Sequence, residues 1–349
     1  MNIYDSLTYM DNLHVAAQNS VGIEQLSGKK ILITGTTGTI GSFLVDTILE
    51  YNVTKNAGIT VYAAGRSVEK LKKRFGRYDF PNLVFLQYDM FEPVLFDEDI
   101  DYIIHAAGNA HPAAFNKDPV GTIMGNVNST YKLLEYATRH KAARLLYLSS
   151  GETYGQGDAR LESYSENYAG YVDTMSVRSC YPSSKRVVEN LCASYCKQYG
   201  LETVVVRPCH TYGPVMTESD NRATVQFFKN ALNGENIVLK SAGLQLRSYC
   251  YVADCVSAIL TVLICGMSGE AYNSANPNSI ITIAGFAQTI AELTGTQVIF
   301  QNPTELELAD RSPISKQVLN AEKLEALGWK GQYDVKQGVS CMLNILRGK

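Results

Sequence analysis

Apolar residues gather in short runs along the first part of the chain, each bounded by polar or glycine-bearing turns. Lys30-Ile31-Leu32-Ile33-Thr34 is the first, and comparable runs recur at residues 59–63, 83–87, 102–105, 144–149 and 203–207. Short runs rich in β-branched residues, without polar alternation, predict strands buried on both faces. Stretches with helical spacing lie between several of them, the clearest from about residue 39 to 51. Strands alternating with helices predict a parallel sheet covered on both sides. Beyond Pro208 the pattern breaks at Gly213-Pro214, Asn233-Gly234 and Asn276-Pro277, as expected of a second, smaller lobe. Ahead of the first strand, Tyr4, Leu7, Tyr9, Met10, Leu13 and Val15 are loosely spaced for a helix, which predicts an arm packed on the body.

The turn after the first run carries chemistry. Thr34-Gly35-Thr36-Thr37-Gly38-Thr39-Ile40-Gly41 lies between a predicted strand and a predicted helix. Glycines there permit a tight turn and close approach of the backbone to a pyrophosphate, and the helix N-terminus offers free N–H groups and a positive dipole end. The expectation is a Rossmann-type, doubly wound parallel sheet binding a dinucleotide, with Gly35, Gly38, Thr39, Ile40 and Gly41 at the phosphates. The second strand runs into Ala64-Gly65-Arg66-Ser67 and carries no acid. An acid there accepts from a free ribose 2′-hydroxyl, whereas an arginine accommodates a 2′-phosphate. Arg66 therefore favours NADP over NAD, the plain alternative being an arginine stacked on adenine or solvated in an NAD enzyme.

Further along, Tyr181 and Lys185 stand four apart at the start of a helical stretch with Val188, Leu191, Cys192 and Tyr195, so both project from one face. A phenol titrates near 10, and an adjacent ammonium together with an oxidised nicotinamide favours its phenolate, which makes Tyr181 a candidate base. The strand at 144–149 leads into Ser149-Ser150-Gly151-Glu152-Thr153-Tyr154-Gly155, at the carboxyl edge of the sheet where such folds bind ligands. Ser150 is placed to hydrogen-bond the reacting hydroxyl. Glu152 is a candidate acid or base beside a new ketone, its plain alternative being a turn cap.

Composition narrows the field. The 349 residues are 46% hydrophobic and 19% charged, with a net charge of −3 and no long basic block, so a nucleic-acid footprint is missing. No window holds the ~18 consecutive apolar residues of a membrane span, and a cytoplasmic location without membrane partners is expected. Seven of the eight cysteines (180, 192, 196, 209, 250, 255 and 265) are scattered through apolar segments. They read as reduced thiols, and no metal site is expected, although Cys192 and Cys196 have helical spacing.

In combination these residues resemble the extended short-chain dehydrogenase/reductase family, in particular its nucleotide-sugar epimerases, dehydratases and decarboxylases. The likeness runs from about Lys29 to the carboxyl end. It rests on Thr34–Gly41, Asp89 after the third strand, His105-Ala106-Ala107-Gly108 at the fourth, Asn126, Ser150, Tyr181 and Lys185. The resemblance implies cofactor contacts from Asp89, Met90, Ala106, Ala107, Gly108 and Lys185. Within the family, Glu152, Arg207-Pro208, Thr211-Tyr212-Gly213-Pro214, Arg247-Ser248-Tyr249 and Leu327-Gly328-Trp329 look most like UDP-glucuronate decarboxylases, in which the residues matching Glu152 and Arg247 act at the substrate. Three departures stand out: Gly151 replaces a Ser or Asp, residues 107–112 differ from the decarboxylase loop, and Arg66 is unlike the acidic residue of NAD-dependent members.

The implied organisation is an extension at 1–28, a dinucleotide-binding unit at 29–206 with returning segments near 247–275, and a substrate lobe, mainly 207–349. Arg207, Thr211, Tyr212, Arg247 and Arg311 are the substrate candidates, each arginine with a structural salt bridge as its alternative. The implied reaction passes through a transient 4-keto sugar that decarboxylates, dehydrates or epimerises, with tightly held cofactor regenerated. A cofactor-sensing regulator and a simple ketone reductase are the rival readings. The family also implies a homodimer through helices near 119–140 and 182–199.

Overall fold

The computed structural model describes residues 2–76, 81–108, 110, 112–216, 220, 222–304 and 314–349. The apolar runs form the strands β1 (Lys30–Thr34), β2 (Thr60–Gly65), β3 (Leu83–Gln87), β4 (Tyr102–His105), β5 (Arg144–Leu148) and β6 (Thr203–Pro208). The later strands are β7 (His210–Tyr212), β8 (Ile237–Leu239), β9 (Leu246–Tyr251), β10 (Ala271–Ser274), β11 (Ile280–Thr282), β12 (Val298–Phe300) and β13 (Lys316–Gln317). The main sheet has seven strands in the order β10-β6-β5-β4-β1-β2-β3, all parallel. Strand order reverses between β1 and β4, where Thr34 lies beside His105, and in open α/β sheets the crevice beyond such a point is the ligand site.

The helices are α1 (Leu7–Gln18), α2 (Thr39–Lys55), α3 (Val68–Phe75), α4 (Pro112–Lys117), α5 (Pro119–Arg139), α6 (Cys180–Tyr199), α7 (Ala223–Leu232), α8 (Val252–Cys265) and α9 (Ile283–Thr294), followed by Glu322–Glu325 and Val335–Leu346. Their ends follow local chemistry: Asp118 caps α5 by accepting from Gly121 N at 2.9 Å, with Pro119 opening the helix, and α6 stops at Gly200 with φ of 69°. One face of the sheet packs on α2 and α8, the other on α5 and α6, whose buried Leu133, Leu134, Val188 and Cys192 meet Leu32, Ile103 and Leu145. No helix among the described residues is long and apolar enough to cross a membrane.

The remaining strands lie outside the main sheet, apart from β10. Strand β9 pairs antiparallel with β11 and parallel with β7 and β13, while β8 and β12 form a separate pair. Strand β10, from the late part of the chain, returns to extend the main sheet beside β6.

The leading arm is a structural clasp. Asp46 on α2 is fully buried and accepts from Tyr4 Oη at 2.8 Å, from Tyr9 Oη and from the Arg74 guanidinium on α3. Asn12 on α1 accepts from Tyr251 Oη at 2.7 Å and donates to Tyr333 Oη at 3.1 Å, so the arm joins both sheets. Burying an ion pair adds little net stability, but removing one member strands the other. Asp46→Ala is therefore expected to lower the unfolding free energy by about 3–5 kcal/mol in urea denaturation; a change below about 1 kcal/mol would show that the arm does not depend on this carboxylate.

Candidate functional site

The site begins where backbones come closest. Gly35 has φ of 73°, and a Cβ on it would stand 2.7 Å from Ala106 O; a Cβ on Gly41 would stand 2.3 Å from Gly35 O. Only glycine fits either place. Helix α2 opens at Thr39 with Gly38 at its N-cap and no side-chain cap, so its first N–H groups face the crevice without a side-chain acceptor. The Thr39 hydroxyl donates to Val215 O at 2.6 Å, which ties the turn to the segment after β7. Narrow backbone approach, an uncapped helix end and glycines a Cβ would clash with fit a pyrophosphate at this place.

Around the turn, Thr34 Oγ1 lies 2.8 Å from His105 Nδ1 and accepts from Ala107 N at 3.2 Å, while His105 Nε2 lies 3.0 Å from Ser129 Oγ. Burial, reinforced by Lys185, lowers His105 to about 3, so it is a neutral strut rather than an acid or base. Arg66 is exposed at the end of β2 with no hydrogen bond or ion pair among the described residues. Asp89 is half-buried and accepts from Phe91 N at 3.0 Å, and Met90 packs against Gly125. Gly108 is near the reaction centre: a Cβ there would lie 3.9 Å from Lys185 Nζ and 3.2 Å from Asn126 Oδ1.

Tyr181 and Lys185 share the first turns of α6, both buried. Lys185 Nζ donates to Leu148 O at 2.8 Å and sits 4.6 Å from the Tyr147 ring centre and 5.7 Å from that of Tyr181. Asn126 Nδ2 donates to Ser184 Oγ at 2.9 Å and fixes α6 against α5. Burial pushes the Tyr181 phenol up and Glu152 pushes the same way, while a Ser150 hydrogen bond, Arg222 and Arg178 pull it down. Burial also lowers Lys185 to about 7, with Glu189 opposing, so part of the expected ammonium charge is lost near neutral pH.

Three side chains belong to this site that sequence reasoning passed over. Arg178 grips Glu152 bidentately, Nη1 to Oε2 at 3.0 Å and Nη2 to Oε1 at 3.1 Å, and stacks 4.7 Å over the Phe115 ring. Phe115 stacks on Tyr181 with ring centres 5.1 Å apart. Arg222, paired with Asp220 at 2.6 Å just ahead of α7, acts on the phenol electrostatically. Arg178 lies three residues before Tyr181, but no spacing rule pairs it with Glu152. Glu152 and Arg178 line a cavity of about 240 Å³ with Gln156, Tyr171, Pro182 and Ile314.

The substrate candidates divide. Arg247 is buried, donates among the described residues to the carbonyls of Leu246 (3.0 Å) and Ile314 (2.5 Å), and feels Glu152 electrostatically. Arg207 is instead spent inside the fold: Nε and Nη2 donate to Glu189 at 3.0 and 2.6 Å, and Nη1 to Tyr154 Oη and Glu166 O. The structural alternative is the one it adopts, because Glu189 on α6 faces β6. Tyr212 is also a core residue, ringed by Phe228, Tyr249, Tyr251 and Phe286. Thr211 is buried beside it, and its hydroxyl donates to Cys209 O at 3.3 Å. Arg311, Asn109 and His111 lie outside the described residues.

Residues 31–275 match the sequence profile of the NAD dependent epimerase/dehydratase family. The chain belongs to this family. It is 34% identical over 316 residues to UDP-glucuronic acid decarboxylase 3 of Arabidopsis thaliana, covering 90% of this chain and 87% of that protein. Among solved structures, an epimerase of Methanothermobacter thermautotrophicus superposes with a TM-score of 0.79 at 19% identity, covering 98% of this chain and 96% of that one. The UDP-glucuronic acid 4-epimerase of Bacillus cereus, solved with UDP-glucuronic acid and NAD, gives 0.76 at 20%, covering 91% and 99%. The protein is thus an enzyme of an NAD-dependent nucleotide-sugar family, and the regulatory alternative falls away.

Titration of Lys185 has a measurable consequence. Between its folded value of about 7 and its ordinary 10.5, the folded chain carries fewer protons than the unfolded chain, so the cost of this site is full below about pH 7 and fades as pH rises. Lys185→Met removes that dependence. Its effect on the unfolding free energy should be more stabilising at about pH 6 than at about pH 9, by on the order of 2 kcal/mol; equal effects would mean that the buried amine does not titrate there.

Proposed function

We propose that this enzyme decarboxylates a UDP-linked glucuronic acid through a 4-keto sugar. The observation that carries the reading is Arg247: a buried guanidinium whose partners among the described residues are carbonyls, and on which Glu152 acts electrostatically, suits a substrate carboxylate. The identity of 34% to a UDP-glucuronic acid decarboxylase over nine-tenths of the chain supports it.

In this reading Gly35, Gly38, Thr39, Ile40 and Gly41 hold the pyrophosphate, while Asp89, Met90, Ala106, Ala107 and Gly108 line the rest of the cofactor's bed. When bound, the dinucleotide accepts a hydride from the sugar's C4 and returns it. Tyr181 takes the proton of the 4-hydroxyl through its phenolate oxygen, with Ser150 hydrogen-bonded to the same oxygen. Lys185, Arg178 and Arg222 supply the positive surroundings that favour phenolate against burial. Once C4 is a ketone, the carboxylate on C5 is β to it. The C5–C6 bond then breaks with its electron pair delocalised onto the C4 oxygen, which the Tyr181 hydroxyl and Ser150 stabilise by hydrogen bonding. Arg247 orients the carboxylate, and Arg178 fixes the Glu152 carboxylate where it can orient a water molecule that supplies the solvent proton taken up at C5. Arg66, exposed and without an acid beside it, accommodates a 2′-phosphate, so NADP is the favoured cofactor within an NAD-dependent family.

The reading is tested by incubating the protein with UDP-, dTDP-, GDP- and CDP-sugars, each with NAD and with NADP, and weighing the products. Loss of carbon dioxide from UDP-glucuronic acid is expected, faster with NADP. Loss of water or an unchanged mass with altered retention would select the dehydratase or epimerase instead, and net cofactor consumption would select a ketone reductase. Tyr181→Phe should lower kcat by about 10³ while cofactor binding holds.

The same reading includes a homodimer. Val120, Ile123, Met124 and Tyr131 on α5 and Val187 and Tyr199 on α6 leave large apolar surfaces exposed on two helices that pack together. A four-helix interface with a second copy would cover them. Light scattering at working concentration should give twice the chain mass, and Ile123→Asp with Met124→Asp should give the monomer; a monomeric wild type removes this part of the proposal.

A further inference from the structure

Tyr181, Lys185 and Glu189 follow one another at four-residue spacing on α6, so the carboxylate continues the line of the two reacting residues by one turn. Lys185 is 4% exposed and the Glu189 side chain 13%. The two hold consecutive residues at the end of β5: Lys185 Nζ donates to Leu148 O at 2.8 Å, and Ser149 Oγ donates to Glu189 Oε1 at 2.5 Å. Ser150, the next residue, is the one whose hydroxyl meets the Tyr181 phenol. From the neighbouring strand β6, Arg207 donates to the same carboxylate through Nε at 3.0 Å and Nη2 at 2.6 Å. A buried ammonium gives up its proton readily unless an opposite charge is near. The groups turned toward Lys185 are Tyr181, Glu189 and Cys192 on α6, Tyr147 on β5 and His105 on β4. Burial keeps the two phenols and the thiol protonated and the imidazole neutral, which leaves the Glu189 carboxylate as the charge that meets the ammonium.

We infer that Glu189 is a positioning residue for the reaction, holding the charge on Lys185 and the Ser149-Ser150 strand end against α6, with Arg207 setting how much of the carboxylate's charge Lys185 feels. In the reading where Tyr181 and Lys185 act in catalysis, on which this rests, Glu189 is the group beneath them. Enclosed by Ser149 and Arg207, it acts through Lys185, whose ammonium favours the Tyr181 phenolate, and through Ser149, whose neighbour Ser150 meets the same phenol oxygen. The guanidinium offsets much of the carboxylate's charge, so the ammonium keeps only part of that support, in keeping with its value of about 7. Removing the carboxylate and removing the guanidinium therefore act on Lys185 in opposite directions, although each breaks the same ion pair.

The measurement is an NMR titration of full-length protein carrying lysine labelled with carbon-13 at Cε, the Lys185 resonance being the one absent from Lys185→Met. Glu189→Gln should lower its midpoint from about 7 by about one unit, a tenfold weaker hold on the proton, and Arg207→Gln should raise it by about one unit. With the nucleotide sugar that the wild type turns over, kcat at about pH 7 should fall about tenfold in Glu189→Gln and less than about twofold in Arg207→Gln, with KM moving less than about twofold in either. The double variant Glu189→Gln with Arg207→Gln strands neither charge and replaces whichever single variant does not fold; its midpoint should lie below that of the wild type, because the carboxylate is the member of the pair that acts on Lys185. Midpoints that move the same way in both single variants, or that stay put in Glu189→Gln or in the double variant, assign the pair a packing role and overturn the inference. A kcat lost in Tyr181→Phe alongside unshifted Lys185 midpoints sinks this inference alone, whereas a Tyr181→Phe that keeps the wild-type kcat sinks the catalytic reading and this inference with it.

Discussion

The site depends on one close approach: the backbone of Gly35 against the carbonyl of Ala106, where β1 and β4 diverge. A side chain on Gly35 would push these segments apart, and with them the uncapped start of α2 and the Ala106-Ala107-Gly108 ledge that leads to Lys185. The neutral chain Thr34–His105–Ser129 braces the same junction across β1, β4 and α5 without placing a charge in it. A buried polar contact of this kind is useful when every member is satisfied, and here each nitrogen of the imidazole has a partner.

Charge is distributed around that junction in two layers. The inner one is inside the fold: Glu189 takes Arg207 and the Ser149 hydroxyl, and it is the carboxylate that opposes the lowering of Lys185 by burial. The outer one lies nearer the candidate site: Glu152 held by Arg178, Arg222 held by Asp220, and Arg247, buried and with carbonyl partners among the described residues. The inner pairs are neutralised and serve to position α6 on β6. The outer group keeps one guanidinium without a carboxylate partner among the described residues. Phe115 connects the two roles, since its ring lies between the Arg178 guanidinium and the Tyr181 phenol.

The arm and the second lobe complete the frame. Tyr4 and Tyr9 reach the buried carboxylate on α2, Asn12 reaches Tyr251 and Tyr333, and Trp329 donates to Ser257 Oγ at 2.8 Å. Segments from both ends of the chain thereby fix α2 and α8, the helices that cover one face of the sheet, and α2 carries the phosphate-binding turn.

The sequence by itself determined the elements whose reasons are local. Runs of β-branched residues mark strands buried on both faces, glycines mark a turn no other residue can make, and four-residue spacing puts Tyr181 and Lys185 on one side of a helix; each signal is written within about a dozen positions. Tertiary structure alone decided which charges are spent and which are free. Arg207 and Arg247 look alike in the sequence, yet one faces Glu189 across a helix–strand contact and the other faces carbonyls beside the crevice. Tyr212 reads as a site residue by motif and is enclosed by aromatic rings from β9, α7 and α9. The grip of Arg178 on Glu152, and the approach of Gln317 to Gly151 from 166 positions away, join residues with no shared period. Pairing of that kind is set by how the lobes pack, which is why a pattern read along one strand or one helix does not contain it.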